Sequence, residues 1–451
     1  MRSISEVVNH FKENWISELS DTSIEQACRD CDMSWIRSLL NPVTTIQIFL
    51  LQILFGNTAC AHMPRLTGLG FTAAGYCKAR LRIKLRVFEL LLKRCVDRLQ
   101  CSTLDSGRWL GHRIFIVDGS SFSMPDTPVL QSRFGQPGGQ QPGCGFPTAH
   151  WLAMLHLQTG MITAMFTSPL RTHDMAKTTQ LHPELKAGDV LLGDRGFCSY
   201  AHLALLMARK VDAVFRIHQR TIVDFTPNRQ HAVPGKGKAK NRKGLPRSIW
   251  LRKLGIEDQV VQWIKRPSNV PAWMTKEQYE ELPSTLTVRE LRYKIDKKGF
   301  RVKQITLVTT LLDHELYRLD DLAELFRRRW EIETNFGHIK TTMGMDVLKC
   351  KTVDGVLREL HAFALVYNLV RQVMLEFASL QSVPVNRISF IDAIRWLQSY
   401  DMQSPETKLQ LLPLRPDRCQ PRVRKRRPKN CLLYTSPSPR DLSTSRMPSS
   451  A

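Results

Sequence analysis

The stretch HRIFIVDGSSFSMPD, residues 112–126, decides how the middle of this chain is read. Four consecutive apolar residues, Ile114 to Val117, run into Asp118 and Gly119. An apolar run of that length, closed by a turn signal, predicts a short strand. A second run of the same kind, GDVLLGDRGFCSY at 188–200, ends on Asp194. Between and after them, HWLAMLHLQTG, MITAMFTSPL and VDAVFRIH read as further short strands, whereas the Gly- and Pro-rich RFGQPGGQQPGCGFP at 133–147 reads as a loop. The text turns helical only from Asp320, in LAELFRRRWEIETNFGHIKTTM, and again in LRELHAFALVYNLVRQVMLEFASL. Strands followed by distant helices predict an α/β core with a mixed sheet.

Three acidic residues stand out in those contexts: Asp118 and Asp194 after strand runs, and Glu333 in the helical RRRWEIETNFGHIK. Carboxylates placed this way can converge from distant sequence on one Mg2+ site, with nearby arginines meeting phosphate. Singly, each has an ordinary explanation. Asp-Gly after a strand is a common turn, Asp194 beside Arg195 can be a salt bridge, and Arg329 with Glu333 makes a surface i,i+4 pair. The last explanation fits the whole helical constellation poorly, because Arg329, Glu333 and Lys340 lie four and seven residues apart, close to one helical face.

Composition narrows the class of partner. The chain has 451 residues, 43% of them hydrophobic, enough for a substantial core and two to four domains. Sixty-five Lys and Arg against 41 Asp and Glu give a formal charge of +24, which suits a polyanion such as nucleic acid. An anionic membrane or a ribosome would attract the same charge. The eleven cysteines are scattered, and CRDC at 28–31 lacks a second pair at zinc-finger spacing, so reduced thiols are expected. MRSISEVVNHFKENW opens amphipathically rather than as a signal peptide, and TTIQIFLLQILFG at 44–56 reads as a buried helix rather than a membrane span.

The flanking regions carry much of the positive charge. Residues 1–103 read as helical, with basic residues from Lys78 to Arg94 along a Leu, Ile and Phe stripe. That stripe is either a DNA-facing surface or the solvated face of an ordinary helical domain. Residues 221–312 contain the basic loop PGKGKAKNRKGLPRS and then return as strands in QVVQWIKRP, LTVRELRYKID and RVKQITLVTTLL, which predicts an inserted β-rich subdomain. The loop is either a DNA contact or a soluble linker. The catalytic region would then comprise 104–220 and 313–400, followed by a basic segment, 401–430, that ends in PRVRKRRPKN.

Together these motifs resemble the DDE transposases of bacterial insertion sequences, in particular the insertion-sequence-four family, over roughly residues 30 to 430. The family signature Tyr-x2-Arg-x3-Glu-x6-Lys falls on Phe326, Arg329, Glu333 and Lys340; VDGSSFSMPD and GDRGF match its first two acidic regions. One position departs, since Phe326 keeps the ring and loses the hydroxyl. The resemblance implies a ribonuclease-H-like core interrupted by a β-rich insertion, with a helical N-terminal DNA-binding domain. It implies Asp118, Asp194 and Glu333 as catalytic metal ligands, two Mg2+ ions with Mn2+ able to substitute, and Arg195, Phe326, Arg329 and Lys340 as phosphate-binding residues. It further implies a homodimer on double-stranded transposon ends and target DNA in the bacterial cytoplasm, with no membrane. The chemistry implied is cleavage at the element end, a hairpin intermediate and strand transfer. The competing readings are a metal-dependent nuclease without strand transfer and an inactive transposase-derived DNA-binding protein. Residues 431–451, CLLYTSPSPRDLSTSRMPSSA, resemble the conceptual translation of a sequencing-library adapter, which places the native continuation beyond Asn430 outside this sequence.

Overall fold

The computed structural model describes residues 19–102, 108–139, 141, 143–170, 172, 175–232, 244–295, 304–398 and 408–414. The amphipathic opening, the lysine-rich centre of the loop at 234–248, the PRVRKRRPKN cluster and residues 431–451 lie outside them.

One nine-stranded sheet organises the molecule. Its strands are β1 (Ile114–Ser123), β2 (Thr148–His156), β3 (Ile162–Pro169), β4 (Val190–Gly193), β5 (Asp212–Arg216), β6 (Ser248–Gly255), β7 (Asp258–Ile264), β8 (Thr285–Lys294) and β9 (Gln304–Thr309). They lie side by side in the order β3-β2-β1-β4-β5-β9-β8-β7-β6. β1, β4 and β5 are parallel, and every other neighbouring pair is antiparallel. The parallel strands are short and apolar because helices cover both of their faces. The segment 221–312 is β-rich, and its strands hydrogen-bond onto β5 through β9, extending the central sheet rather than closing a sheet of their own.

Alternation along the central strands sorts side chains onto two faces. Ile114, Ile116, Leu192, Val214 and Leu307 enter one core with the helices that follow residue 318. Phe115, Val117, Leu191, Ala213, Phe215 and Val308 enter the other, against Leu203 and Leu206 of the helix Tyr200–Ala208. A third, smaller cluster lies within the N-terminal helices.

The N-terminal helices pack on the 28-residue helix Val353–Leu380. This is the one described helix long and apolar enough to cross a membrane, yet 72% of its most apolar window is buried inside the protein, as in a core helix. The apolar run near residue 50 forms the helix Pro42–Leu54, which is also buried, and Asn41 caps its first turn. The basic stripe from Lys78 to Arg94 is divided at Ile83 between two helices, Ala73–Arg82 and Leu85–Ser102. Three of its cations serve the fold. Arg80 lies 3.6 Å from the Phe49 ring centroid and donates to Gln52, Lys84 donates to the carbonyls of Cys31 and Asp32, and Arg94 pairs with Asp30 at 2.5 Å. Lys78, Arg82, Arg86 and Lys93 remain exposed.

Polar side chains of the long helix grip the β2–β3 hairpin. Tyr367 donates to Gly160 O at 2.7 Å, Asn368 pairs with both backbone groups of Ile162, and Arg371 Nε donates to Thr159 O at 2.8 Å. Gly160 has φ +68, and a Cβ there would overlap the Arg371 guanidinium. Gly160→Ala should therefore destabilise the protein by about 2–3 kcal/mol, from left-handed backbone strain plus overpacking. Urea denaturation measures it; a loss below about 0.5 kcal/mol would mean that the hairpin and helix separate freely.

Candidate active site

Register brings the first two acidic residues together. β1 and β4 pair up to Val117 with Gly193, and β4 and β5 up to Gly193 with Phe215. The next row across three parallel strands is Asp118, Asp194 and Arg216, on the face shared by Ile116, Leu192 and Val214. Adjacent strands are about 4.8 Å apart, so Asp118, midway along β1, and Asp194, just past the end of β4, are neighbours where the pairing of those two strands ends.

Glu333 reaches the same row from the opposite layer. The helical stretch is three pieces: Leu319–Arg328, Glu331–Gly337 and a π-helical turn, His338–Thr342. Ile332 and Phe336 bury the middle piece against the sheet, and Phe336 packs on Trp151 of β2 with ring centroids 4.9 Å apart. Glu333 is left facing outward with about half of its side chain exposed. Burial pushes its carboxyl above the usual glutamate range; Arg329 opposes the rise, and the charges of Asp118 and Asp194 add to it. All three carboxylates thus lie within one another's electrostatic reach.

Arg329 is the hub. It is 4% exposed; Nη1 lies 3.3 Å from Asp118 Oδ2 and Nη2 3.9 Å from Glu333 Oε1. Its guanidinium also sits 4.9 Å from the Trp330 ring centroid. Asp118 Oδ1 accepts from the Gly119 N–H at 2.8 Å. Asp194 Oδ1 is buried and has no hydrogen-bond partner, an arrangement that is costly unless something else satisfies it. Among the described residues no three His, Cys, Asp or Glu side chains form a ready-made metal cluster. Arg329 therefore bridges Asp118 and Glu333, with Asp194 following the strand that pairs with β1.

The remaining residues singled out in the sequence divide. Lys340, in the π-helical turn, donates to Ser120 Oγ at 3.1 Å and pairs with Asp346 at 3.2 Å. Ser120 is two positions beyond Asp118 on β1, so Lys340 flanks the acidic row. Arg195 is exposed and donates to Gln219 at 3.2 Å, away from the carboxylates. Phe326 must be corrected as a phosphate-binding residue. It is 2% exposed and packed in the core, its ring centroid 5.8 Å from the Arg329 guanidinium, so it supports that arginine and has no surface to offer a phosphate.

Sequence reasoning passed over Arg216 and Tyr293. Arg216 completes the row of Asp118 and Asp194; each of the three stands two residues past a core-facing apolar residue of a parallel strand. Tyr293, on β8, is pushed up to about 12 by burial, against the opposing charges of Arg216, Arg327 and Arg329. Arg216, Arg327 and Arg329 thus share one neighbourhood around Tyr293. Only strand register, which the sequence does not display, brings these residues to one place.

The chain is similar to several known proteins. A transposase called InsG, for insertion sequence element IS4 of Escherichia coli (strain K12), is 25% identical over 339 residues, covering 71% of this chain and 69% of the relative. Among solved structures, the piggyBac transposase synaptic complex with hairpin DNA aligns over 88% of this chain and 79% of its own, at 8% identity and TM-score 0.42. A pre-cleavage Mos1 transpososome aligns over 47% and 72%, at 9% identity and TM-score 0.14. The family model described as the transposase DDE domain matches residues 109–369, from the turn before β1 through most of the long helix and across all three carboxylates. With more than half of its length covered by that match, the chain belongs to the transposase DDE domain family.

Proposed function

We propose that the chain is a bacterial insertion-sequence transposase that cuts double-stranded DNA at the ends of its element and joins the freed ends to target DNA. The observation that carries this reading is the convergence of Asp118 and Asp194, on adjacent parallel strands, with Glu333 across Arg329. Family membership implies divalent-metal catalysis in general. The donors suit it. They are hard carboxylate oxygens, Asp194 Oδ1 lacks a partner, and the mutual repulsion at Glu333 is what a cation would relieve.

Asp118, Asp194 and Glu333 would hold two Mg2+ ions, or Mn2+ in their place. When bound, such ions activate water or a 3′-hydroxyl and stabilise the leaving oxygen. The chain's own residues do the rest. Arg329 balances charge between Asp118 and Glu333, and Lys340 and Arg216 stand on either side of the acidic row to receive the phosphates next to the scissile bond. Arg195 lies exposed beyond Asp194, where a DNA backbone would pass. Ser120 Oγ already accepts from Lys340, which supports water or a DNA hydroxyl as the nucleophile rather than a serine. The finer course follows the family resemblance: nicking, a hairpin on the element end, reopening and staggered joining. So do a homodimer on paired ends, a site of action on nucleoid DNA, and end recognition by the N-terminal helices, whose exposed cations support it.

The test uses duplex DNA taken from either side of the gene, where terminal inverted repeats should lie. The purified chain should cut at the repeat ends with Mg2+ or Mn2+, leave 3′-hydroxyls, and join them to a second duplex. Cutting that persists in EDTA would overturn the reading. Equal cutting of unrelated duplexes without joining would make the protein a nuclease.

The two cations nearest the row should separate in their effects. Lys340→Ala should weaken cleavage alike on different end sequences and lower the salt slope of DNA binding by about one unit, as a lost phosphate contact does. Arg329→Ala should lower cleavage further, because it also leaves Asp118 and Glu333 without their shared counter-charge. A Lys340 effect confined to one base position, in binding titrations against substituted ends, would point to direct base readout instead.

A further inference from the structure

Two buried histidines that the proposed chemistry does not use stand directly behind Asp194. His202, on the helix Tyr200–Ala208, is 0% exposed and His182 is 4% exposed. Their Nε2 atoms are 3.0 Å apart with the ring planes 8° from parallel, and His202 Nδ1 lies 2.7 Å from the carbonyl oxygen of Phe197. A carbonyl can only accept, so His202 carries its proton on Nδ1 and presents a lone pair at Nε2; His182 Nε2–H donates into it. Burial holds both rings neutral, His182 lowered to about 3 and His202 to about 4. The relay therefore keeps one direction and one tautomer across neutral pH.

The bond ends on the turn that carries Asp194. Phe197 N–H donates back to Asp194 O at 2.9 Å, closing Asp194–Phe197 into a single turn. Beneath it the packing is tight, since a Cβ on Gly193 would lie 3.0 Å from Phe197 Cβ and 3.1 Å from the Phe215 ring, on which His202 stacks at 5.1 Å. The close packing around Gly193 and the His202 bond to Phe197 O thus hold the turn from below, and the His202 contact is the directional one. We propose that His202, held by His182, is a positioning residue: through the Phe197 carbonyl it sets the turn that aims the Asp194 carboxylate at the cation site. The inference rests on the reading of Asp194 as a cation-holding carboxylate.

The experiment measures Mn2+ binding to the full chain by loss of the free-ion EPR signal, alongside the Mn2+ dependence of strand cleavage. His202→Phe keeps a ring over Phe215 and removes both nitrogens. His202→Asn returns an amide N–H near the Nδ1 position. His202→Phe should raise the Mn2+ concentration needed for half-saturation about 10-fold in both assays, the size typical of losing a group that orients a ligand. His202→Asn should recover most of that loss, within about threefold of native, although it too forfeits the ring packing. A role in packing alone predicts the opposite order, with the Asn variant the worse. Should His202→Phe fail to fold, His182→Leu leaves the Phe197 bond possible but frees the ring behind it, and should raise the Mn2+ requirement in the same direction. Native Mn2+ binding in His202→Phe, or in His182→Leu when that variant stands in for it, would overturn the proposal, as would an Asn variant no better than Phe. Asp194→Asn separates the two layers: if it too binds Mn2+ normally, the reading of Asp194 fails. If it weakens binding while the histidine variants do not, only the positioning role fails.

Discussion

Glu333→Gln should reduce strand cleavage by about 10³-fold or more while DNA affinity stays within about twofold of native. The substitution keeps the shape of the side chain and exchanges a charge for an amide whose N–H groups cannot ligate a cation. The helix that carries it is held by Ile332 and Phe336 in the core, so the position of residue 333 does not depend on its charge. The same variant should be at least as stable as native without metal. The Glu333 carboxyl is raised above its unfolded value, so the folded chain binds that proton more tightly than the unfolded chain does, and stability falls as pH rises through the folded value. Gln removes that loss, and the two stability curves should diverge just above the ordinary glutamate range. Single-turnover cleavage, DNA titration and urea denaturation across pH measure the three parts. Undiminished cleavage would move the ligand role to another residue; a fall in DNA affinity matching the fall in cleavage would give Glu333 a binding role instead.

What the letters disclosed and what they withheld differ by the physics of each feature. The mixed α/β core was legible because short apolar runs such as Ile114–Val117 and Val190–Leu192, divided by turns and followed by distant helical patterns, are what the strands of such a sheet require. The joining of β6–β9 to the same sheet was not, because the β5–β9 ladder is made of backbone hydrogen bonds between residues about ninety positions apart, and these have no side-chain signature. Charge misled in a similar way. Arg80 and Arg94 look like surface cations in a basic stripe, but Arg80 meets its ring and amide partners about thirty positions back and Arg94 its carboxylate more than sixty back. Phe326 sits in the signature spacing of a phosphate-binding tyrosine, yet its burial follows from the face of its helix turned toward Leu322 and Leu325, which the spacing alone does not reveal.

Asp258→Ala should cost about 3–5 kcal/mol, as expected for stranding a buried charge. Arg289 on β8 is 0% exposed and Asp258 on β7 is 6% exposed; Nε and Nη2 meet the two carboxylate oxygens at 2.8 Å and 2.5 Å, a fork-to-fork pair. Removing the carboxylate leaves a guanidinium that cannot lose its proton, sealed from water with one remaining acceptor, Tyr317 O at 2.6 Å. That acceptor makes the pair more than local. Tyr317 lies two residues before the helix Leu319–Arg328, so Arg289 links the added strands to the start of the segment that delivers Arg329 and Glu333. Asp258→Ala should accordingly speed amide exchange in residues 317–328 as well as in β7 and β8, while the β1–β2 hairpin keeps its protection. The double variant Asp258→Leu with Arg289→Met should recover most of the stability, since an apolar pair of similar volume leaves no buried charge. Urea denaturation and hydrogen exchange by mass spectrometry decide it. A single-variant loss below about 1 kcal/mol would mean that water reaches Arg289, and a double variant as unstable as the single would mean that the fork geometry itself, rather than the stranded charge, holds these strands to the helix.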